Sequence, residues 1–303
     1  MTATTQTFID LGYIAASILF ILGIKMLGKQ ERARMGNLMS ALGMLIAITA
    51  AMFECCLDFT WVITGLIIGS LIGLIAARTV KMTAMPQMVA LLNGFGGIAS
   101  LLVGWENYHS QPDSNLLVRV AVLLAVLIGG VAFSGSLVAY GKLAGKISGR
   151  PILFKLQALI NILILAAILI CSLYWLYEPR GIFSYLVFLF IIALSLSLGV
   201  FSVTPIGGAD MPVVIALLNS YSGLAASAAG FILLNNVLIV AGSLVGASGL
   251  ILTGIMCKAM NRSLGNVLFS GFAKQSGKAV STSVQGEPKP ISAEDAYYVL
   301  EAA

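Results

Sequence analysis

The sequence predicts an all-α polytopic membrane protein with about nine transmembrane helices, and three observations support this prediction. Of the 303 residues, 59% are hydrophobic and 10% are charged, whereas soluble domains average about 25% charged residues. Nine apolar runs approach the roughly 20 residues that a helix needs to cross the hydrocarbon core of a bilayer. Continuous stretches such as LIIGSLIGLIAA also lack the short alternating segments of a transmembrane β-barrel.

The nine runs follow one another along most of the chain. They lie at about 7–27, 36–53, 59–77, 85–104, 116–140, 156–176, 182–203, 211–232 and 236–257. The first run has no basic segment before it and no small-residue cleavage site after it, so we interpret it as a retained helix rather than a signal peptide.

Basic residues predict the orientation of the helices. Fifteen of the seventeen Lys and Arg residues fall on one side of the predicted bundle, and only Arg119 and Arg180 fall on the other. Because basic residues are retained on the cytoplasmic side of a membrane, we expect the N-terminus outside and the C-terminus in the cytoplasm. The net charge of +5 follows from this topology and requires no nucleic-acid partner.

The chain contains an internal repeat with an asparagine in the middle of each copy. The stretches MPQMVALLNGFGG, from Met85, and MPVVIALLNSYSG, from Met211, share Met, Pro, Ala, Leu, Leu, Asn and Gly at matching positions. On a helix, Asn93 and Asn219 each share a face with small residues. Each amide either bonds to a neighbouring helix, which is worth about 1–2 kcal/mol or less, or lines a polar path near mid-membrane. Both interpretations stay open, because an amide can order water but cannot titrate.

Few residues in the predicted helices carry a charge. Asp10 and Arg119 lie near helix ends, and Asp210 lies at the cytoplasmic mouth of the eighth helix. The single histidine, His109, falls in a predicted outer loop, and no cluster of residues has the spacing of a metal site. Proton carriers usually place a titratable side chain in the membrane, but the predicted helices of this chain offer few side chains that could relay a proton.

Small residues recur at four-residue spacing on two predicted helices. They are Gly65, Gly69 and Gly73 on the third helix, and Gly242 and Gly246 on the ninth. Such stripes allow helix backbones to approach closely in lipid, so we expect tight helix packing at both places.

Four longer motifs follow one another in the sequence. They are MTAMPQMVALLNGFGG, GSLVAYGKLAGKISGRPI, PIGGADMPVVIALLNSYSG and GSLVGASGLILTGIMCKAMNRS. Together they resemble the membrane domain of the beta subunit of proton-translocating NAD(P) transhydrogenase, over about Ile9 to Arg262 and weakly beyond. The resemblance implies an enzyme that moves a hydride between NAD(H) and NADP(H) on soluble domains while protons cross the membrane domain. This chain alone should not catalyse hydride transfer.

The resemblance implies roles for six residues of this chain. They are Asn219 and Ser220 for the proton pathway, and Asp210, Ser248, Gly249 and Arg262 for gating or coupling. Asn93 also belongs to the expected pathway but departs from the family pattern, because some members carry a proton-relaying histidine at this position. We therefore expect a histidine on a membrane helix of the alpha subunit, facing Asn93 and Asn219.

The resemblance also implies partners and a location. The alpha subunit would supply NAD(H) binding and further membrane helices, an NADP(H)-binding domain would complete the protomer, and two protomers would form a dimer. NAD(H) and NADP(H) would belong to the complete enzyme, and this chain would contact lipid but bind no nucleotide, metal or nucleic acid. We expect it in the cell (inner) membrane.

The chain divides into a transmembrane, proton-translocating domain at 1–262 and a cytoplasmic segment at 263–303. The Gly, Ser, Lys and Pro content of the second predicts an extended linker, and Ser292 and Asp295 suit the start of a helix. No glycine fingerprint follows a strand. We expect the NADP(H)-binding domain to be missing, by truncation rather than by separate encoding.

Two further questions stay open. The loop TPIGGADMP, with Asp210 as its only charge, is either a gate at the cytoplasmic mouth or a tight turn between helices. A secondary transporter shares the parallel repeat but would need an intramembrane charge for its coupling ion. A purely structural scaffold would have a dry polar face.

Overall fold

The computed structural model describes residues 3–53, 59–154 and 156–268, and every regular element in these ranges is a helix. The α-helices are α1 (Ala3–Leu27), α2 (Ala33–Phe53), α3 (Phe59–Thr79), α4 (Met85–Ser110), α5 (Leu116–Leu143), α6 (Gln157–Tyr177), α7 (Ile182–Val203), α8 (Met211–Leu233), α9 (Asn236–Ala259) and α10 (Leu264–Leu268). Within the described ranges, α1 to α9 are long and apolar enough to cross a membrane. The prediction of an all-α polytopic membrane protein is therefore confirmed.

Each predicted run matches one of these nine helices, and the largest difference is at the end of α4. This helix continues past residue 104 to Ser110, because Tyr108 is buried against Trp175 and Phe188. Packing thus extends the helix beyond the point where polar residues end the apolar run. The prediction that His109 lies in a loop is wrong, since the residue lies in the last turn of α4, with its side chain exposed.

The two copies of the repeat begin with the same local structure. A 3-10 turn precedes each helix, Met82–Ala84 before α4 and Gly208–Asp210 before α8. A proline then lies at the start of each helix, where the first N–H groups have no partner within the helix and the fixed φ of proline fits the first turn. The duplication in sequence is therefore a duplication in structure.

The centre of the bundle is formed by α5 and α8, which bury more residues than the other helices. The neighbouring helix α4 packs on both of them, α7 packs on α5, α6 on α7 and α9 on α8. The pair α1 and α2 joins the bundle through α9, where Asn235 donates a hydrogen bond to the hydroxyl of Tyr13. No residue of α3 is buried by the rest of the described chain.

The predicted glycine stripes behave differently on the two helices. On α9, a Cβ added to Gly242 would lie 2.5 Å from the backbone nitrogen of Ser227 on α8, so the two backbones are in close contact. On α3, a Cβ added to Gly65, Gly69 or Gly73 would meet no atom of the described chain within 4 Å. The prediction of tight packing is confirmed on α9 and is not met on α3.

The two ends of the bundle differ in charge. We call the end that carries Lys142, Arg150 and Arg262 the basic end. At the opposite end, Arg180 and Asp113 form an exposed ion pair at 2.5 Å, and the hydrogen bond from Arg180 holds the pKa of the Asp113 carboxyl below its usual value. This pair joins the α4–α5 loop to the connection between α6 and α7.

Of the segment 263–303, the structure describes the short helix α10, where an extended linker is predicted. The rest of the predicted linker and the helix expected near Ser292 lie outside the described residues.

Candidate functional site

Asn93 connects the two copies of the repeat. It lies on α4 with Ala90, Gly94 and Gly97, and all four residues are buried, as their shared helical face predicts. The side-chain Nδ2 of Asn93 donates a hydrogen bond of 3.2 Å to the backbone carbonyl oxygen of Ile215 on α8. In an α-helix the same carbonyl accepts the backbone N–H four residues later, which is that of Asn219. The side-chain amide of Asn93 and the backbone N–H of Asn219 therefore donate to the same carbonyl oxygen.

Asn219 itself is placed differently from Asn93. Its side chain is partly exposed and has no hydrogen-bond partner among the described residues. The neighbouring Ser220 is fully buried, and its hydroxyl donates a 2.7 Å hydrogen bond to the carbonyl oxygen of Gly246 on α9. The Asn93 amide is thus engaged within the bundle, whereas the Asn219 amide is available to another group.

The two asparagines lie at matching depths. Asn93 follows Met85, the first residue of α4, by eight residues, and Asn219 follows Met211, the first residue of α8, by eight residues. At about 1.5 Å per residue, each amide is about 12 Å from the start of its helix. This depth is close to the middle of a hydrocarbon core of about 30 Å.

Ser248 and Gly249 lie on α9 beside Ser220. A Cβ added to Gly249 would lie 2.7 Å from the backbone nitrogen of Ser220, so α8 and α9 touch at this point. The Ser248 hydroxyl donates to the carbonyl oxygen of Val245 on its own helix, 2.9 Å away. The structure therefore brings Ser220 and Gly249 into contact, with Ser248 next to them.

Asp210 and Arg262 meet at the basic end. Arg262 Nε lies 3.8 Å from Asp210 Oδ1, which is too long for a hydrogen bond. This oxygen is buried and accepts no hydrogen bond from the described residues. The carboxylate also stands at the start of α8, where a negative charge interacts favourably with the helix dipole.

The end of α9 explains the position of Arg262. Asn261 adopts a left-handed backbone conformation with a φ of 50°, which asparagine tolerates better than most residues. The Arg262 N–H donates to the carbonyl oxygen of Cys257 at 2.9 Å, and the Asn261 N–H donates to that of Lys258 at 3.1 Å. These two bonds form a Schellman motif, so the chain leaves the helix in the direction that brings Arg262 to Asp210.

Lys142 is a residue of the basic end that the pattern of apolar runs does not reveal. The sequence places it among the basic residues after the fifth helix, whereas the structure includes it in α5 and buries it. Its Nζ donates hydrogen bonds to the carbonyl oxygens of Thr204 and Ile206, the second at 2.7 Å. The available signal was helical register, because Lys142 continues the buried face that contains Gly135 and Ala139.

Further hydrogen bonds hold the connection between α7 and α8, which falls within the predicted loop TPIGGADMP. The Gly208 N–H donates to the carbonyl oxygen of Gly149 at 2.8 Å, and the Ile152 N–H donates to that of Thr204 at 3.3 Å. With Lys142, these contacts make the connection a braced turn in this structure. Whether it also acts as a gate stays a prediction.

The residues predicted from the sequence thus form two groups. The central group contains Asn93, Asn219, Ser220, Ser248 and Gly249. The basic-end group contains Asp210 and Arg262, to which the structure adds Lys142. The helix α8 runs through both groups, because Asp210 immediately precedes it and Asn219 lies within it.

Comparison with known proteins identifies the family. A family model for the NAD(P) transhydrogenase beta subunit matches residues 9–303. Two curated relatives from Rhodospirillum rubrum, one of them from a named strain, are both called NAD(P) transhydrogenase subunit beta and are 40% identical over 312 residues. These alignments cover 99% of this chain and 66% of each relative, so the chain spans just under two thirds of their length. The resemblance seen in the four motifs is confirmed, and the chain belongs to the NAD(P) transhydrogenase beta subunit family.

Proposed function

We propose that this chain is the membrane domain through which a transhydrogenase couples proton movement to hydride transfer between NAD(H) and NADP(H). Family membership and nine described helices able to cross a membrane support this proposal. The main support comes from the central group. Its two amides lie at the same depth on the duplicated helices α4 and α8, and a hydrogen bond joins these helices. A secondary transporter or a structural scaffold is not favoured, because neither accounts for the family.

In the proposed route, Asn93, Asn219 and Ser220 order the water along which protons move. Amides and hydroxyls can orient water but do not titrate near neutral pH. In the described chain, no Asp, Glu, His, Lys or Arg lies near the middle of α4, α5, α8 or α9. We therefore assign the titrating group to a histidine of the alpha subunit, and the free, partly exposed amide of Asn219 supports a partner at that position.

Proton movement is useful only if it is tied to the nucleotide-binding domains. One charge crossing the membrane is worth about 2.3 kcal/mol per 100 mV. A driving force of roughly 200 mV then supplies about 4.6 kcal/mol per proton, a shift of on the order of 10³ in a redox equilibrium. An ungated path would dissipate this energy as a leak.

We assign gating to Asp210 and Arg262 at the basic end, and coupling to Ser248 and Gly249. A displacement of the connection that carries Asp210 would move the start of α8. Because α8 is one continuous helix from Met211 onward, the displacement would reach Asn219, about 13 Å further along the helix axis. The contact between Ser220 and Gly249 would carry the same movement to α9.

The remaining assignments complete the proposal. The basic end faces the cytoplasm, residues 1–262 form the translocating domain, and residues 263–303 lead towards the NADP(H)-binding domain. The alpha subunit contributes NAD(H) binding and membrane helices, and two protomers form a dimer in the inner membrane.

Nucleotide-dependent proton uptake tests the proposed route in the complete enzyme reconstituted in liposomes. Asn219→Leu should abolish uptake, because it removes the free amide from the path. The control is Asn37→Leu, which changes an exposed asparagine of α2 and should retain uptake. Proton uptake at the wild-type rate in Asn219→Leu would contradict the route.

A second experiment tests the assigned histidine. Each histidine in the membrane helices of the alpha subunit is replaced by alanine, and one replacement should abolish proton uptake while nucleotide binding persists. The assignment fails if those helices contain no histidine, or if uptake survives every replacement.

A further inference from the structure

A cavity of about 670 Å³ lies between α5, α6, α7 and α8, and no residue of the central group lines it. Its walls are largely apolar and include Leu127 and Val131 on α5, Leu165 on α6 and Leu217 on α8. Apolar cavities of this kind stay dry and take apolar guests. In a membrane, the available apolar molecules are the acyl chains of lipids.

The cavity has the depth of one membrane leaflet. On α8 its lining residues extend from Val214 to Leu224, which is about 15 Å at 1.5 Å per residue. The hydrocarbon core is about 30 Å thick, so one leaflet is about 15 Å. Ile206, which precedes α8, also lines the cavity, so the cavity begins at the basic end and stops near mid-membrane.

An exposed arginine lies beside the α7–α8 connection, whose residue Ile206 lines the cavity. Gly149 and Ile152 form hydrogen bonds to Gly208 and Thr204 on the α7–α8 connection, and Arg150 lies between them with its side chain exposed. The segment that carries Arg150 is therefore fixed beside the connection that contributes to the cavity wall.

The positive charge of Arg150 is not balanced by an acidic residue nearby in the chain. The sequence contains no Asp or Glu between Asp113 and Glu178, and both of these belong to the opposite end of the bundle. The carboxylate on the connection, Asp210, is buried and faces Arg262. Arg150 thus offers a charge complementary to a phosphate group.

We propose that this cavity binds an anionic phospholipid, with one acyl chain inside it and the phosphate on Arg150. Asn161 supports this placement. It lines the cavity one turn into α6, and its side-chain Nδ2 forms no hydrogen bond with the described residues. At that depth its amide can donate to an ester carbonyl of the lipid, and the site requires no part of the proposed proton route.

Native mass spectrometry of the complete enzyme tests the headgroup contact. The enzyme is released from nanodiscs that contain equal amounts of phosphatidylglycerol and phosphatidylcholine, and the wild type should retain one phosphatidylglycerol per copy of this chain. Arg150→Gln should lower its occupancy about five-fold, the effect of one surface charge. Arg78→Gln changes an exposed arginine of α3. This variant is the control and should not lower the occupancy of phosphatidylglycerol. Equal retention of the two lipids by the wild type, or equal occupancy in the two variants, would overturn the proposal.

A separate variant tests the acyl-chain site. Leu165→Trp fills part of the cavity and should displace the retained lipid. The control is Leu169→Trp, because Leu169 is exposed one turn later on α6 and does not line the cavity. This control variant should keep the lipid bound. Lipid retained at the wild-type level in Leu165→Trp contradicts the site. A crosslink from Leu165→Cys to the alpha subunit would also overturn it, because a protein helix would then occupy the cavity. Since Arg150 is exposed, Arg150→Gln keeps the proposal testable even if Leu165→Trp misfolds.

Discussion

Lys142 donates a hydrogen bond of 2.7 Å to the carbonyl oxygen of Ile206, so the last turn of α5 holds the connection that leads into α8. The same ammonium group bonds to the carbonyl oxygen of Thr204, just beyond the end of α7, where carbonyl groups lack partners within the helix. A positive charge at a helix C-terminus is also favourable to the helix dipole. One buried side chain thus joins three helices at the end where we place the gate.

Lys142→Met should loosen this junction. The change removes the donor and leaves the buried carbonyl group of Ile206 unsatisfied, which costs about 1–3 kcal/mol, whereas the carbonyl group of Thr204 still accepts the Ile152 N–H. We expect a lower midpoint of thermal unfolding and a faster passive proton leak from liposomes that contain the complete enzyme. Lys146→Met, at an exposed position two residues after α5 and its cap, is the control and should change both values little. Matching unfolding midpoints for the two variants would exclude a structural role for Lys142.

Gly249→Ala should separate α8 from α9. The new Cβ would lie 2.7 Å from the backbone nitrogen of Ser220, and a backbone cannot move away as a flexible side chain can, so we expect a cost of about 1–3 kcal/mol. Gly254→Ala on the same helix is the control, since its Cβ meets no described atom within 4 Å. The measurements are thermal unfolding and nucleotide-dependent proton uptake. If Gly249→Ala keeps both at the level of Gly254→Ala, the contact does not carry coupling.

The helices could be predicted from the sequence because a span of lipid imposes length and apolarity on each segment separately. The end of α4 could not, because Tyr108 extends that helix through contacts with Trp175 and Phe188, which are distant in sequence. The burial of Lys142 depends on carbonyl groups more than sixty residues away. Counting positive charges assigns such a lysine to a loop.

The different surroundings of the Asn93 and Asn219 side chains could not be predicted from the sequence either. Their surroundings match along the chain, so any local argument gives them the same role. The structure separates them, because Asn93 meets the backbone of α8, while the Asn219 side chain has no partner among the described residues. What distinguishes two copies of a repeat is the tertiary surface that each one faces.

Asp210→Asn tests the proposed gate. The pair with Arg262 spans 3.8 Å and the arginine side chain is half exposed, so loss of the charge should cost stability no more than about 1 kcal/mol. We expect instead a fall in proton-coupled turnover of the complete enzyme, with Arg262→Gln and the double variant showing the same fall rather than an added one. Unchanged coupled turnover in Asp210→Asn would remove the gate hypothesis.

Asn261 offers a way to move Arg262 without changing its charge. Asn261→Gly should be neutral, because glycine favours the left-handed conformation that this position requires. Asn261→Val should cost about 1–2 kcal/mol, because a β-branched side chain is strained there, and it should weaken the pairing with Asp210. Proton-coupled turnover should therefore fall in the valine variant alone. Equal turnover in both variants would mean that the Schellman motif does not position the gate.

Leucine at the two repeat asparagines should have different effects on stability. Asn93→Leu breaks the hydrogen bond to Ile215 and should lower stability by about 0.6 kcal/mol, the average for hydrogen bonds between membrane helices, and by no more than about 1.7 kcal/mol. Asn219→Leu breaks no side-chain bond within the described chain, so its unfolding midpoint should stay at the wild-type value while proton uptake is lost. The two variants have the same chemistry at the same depth, so each serves as the matched control for the other in the unfolding measurement, while both residues belong to the proposed route. The opposite pattern, in which Asn219→Leu unfolds early and still takes up protons, would make Asn219 the structural residue and leave the proposed route without its free amide.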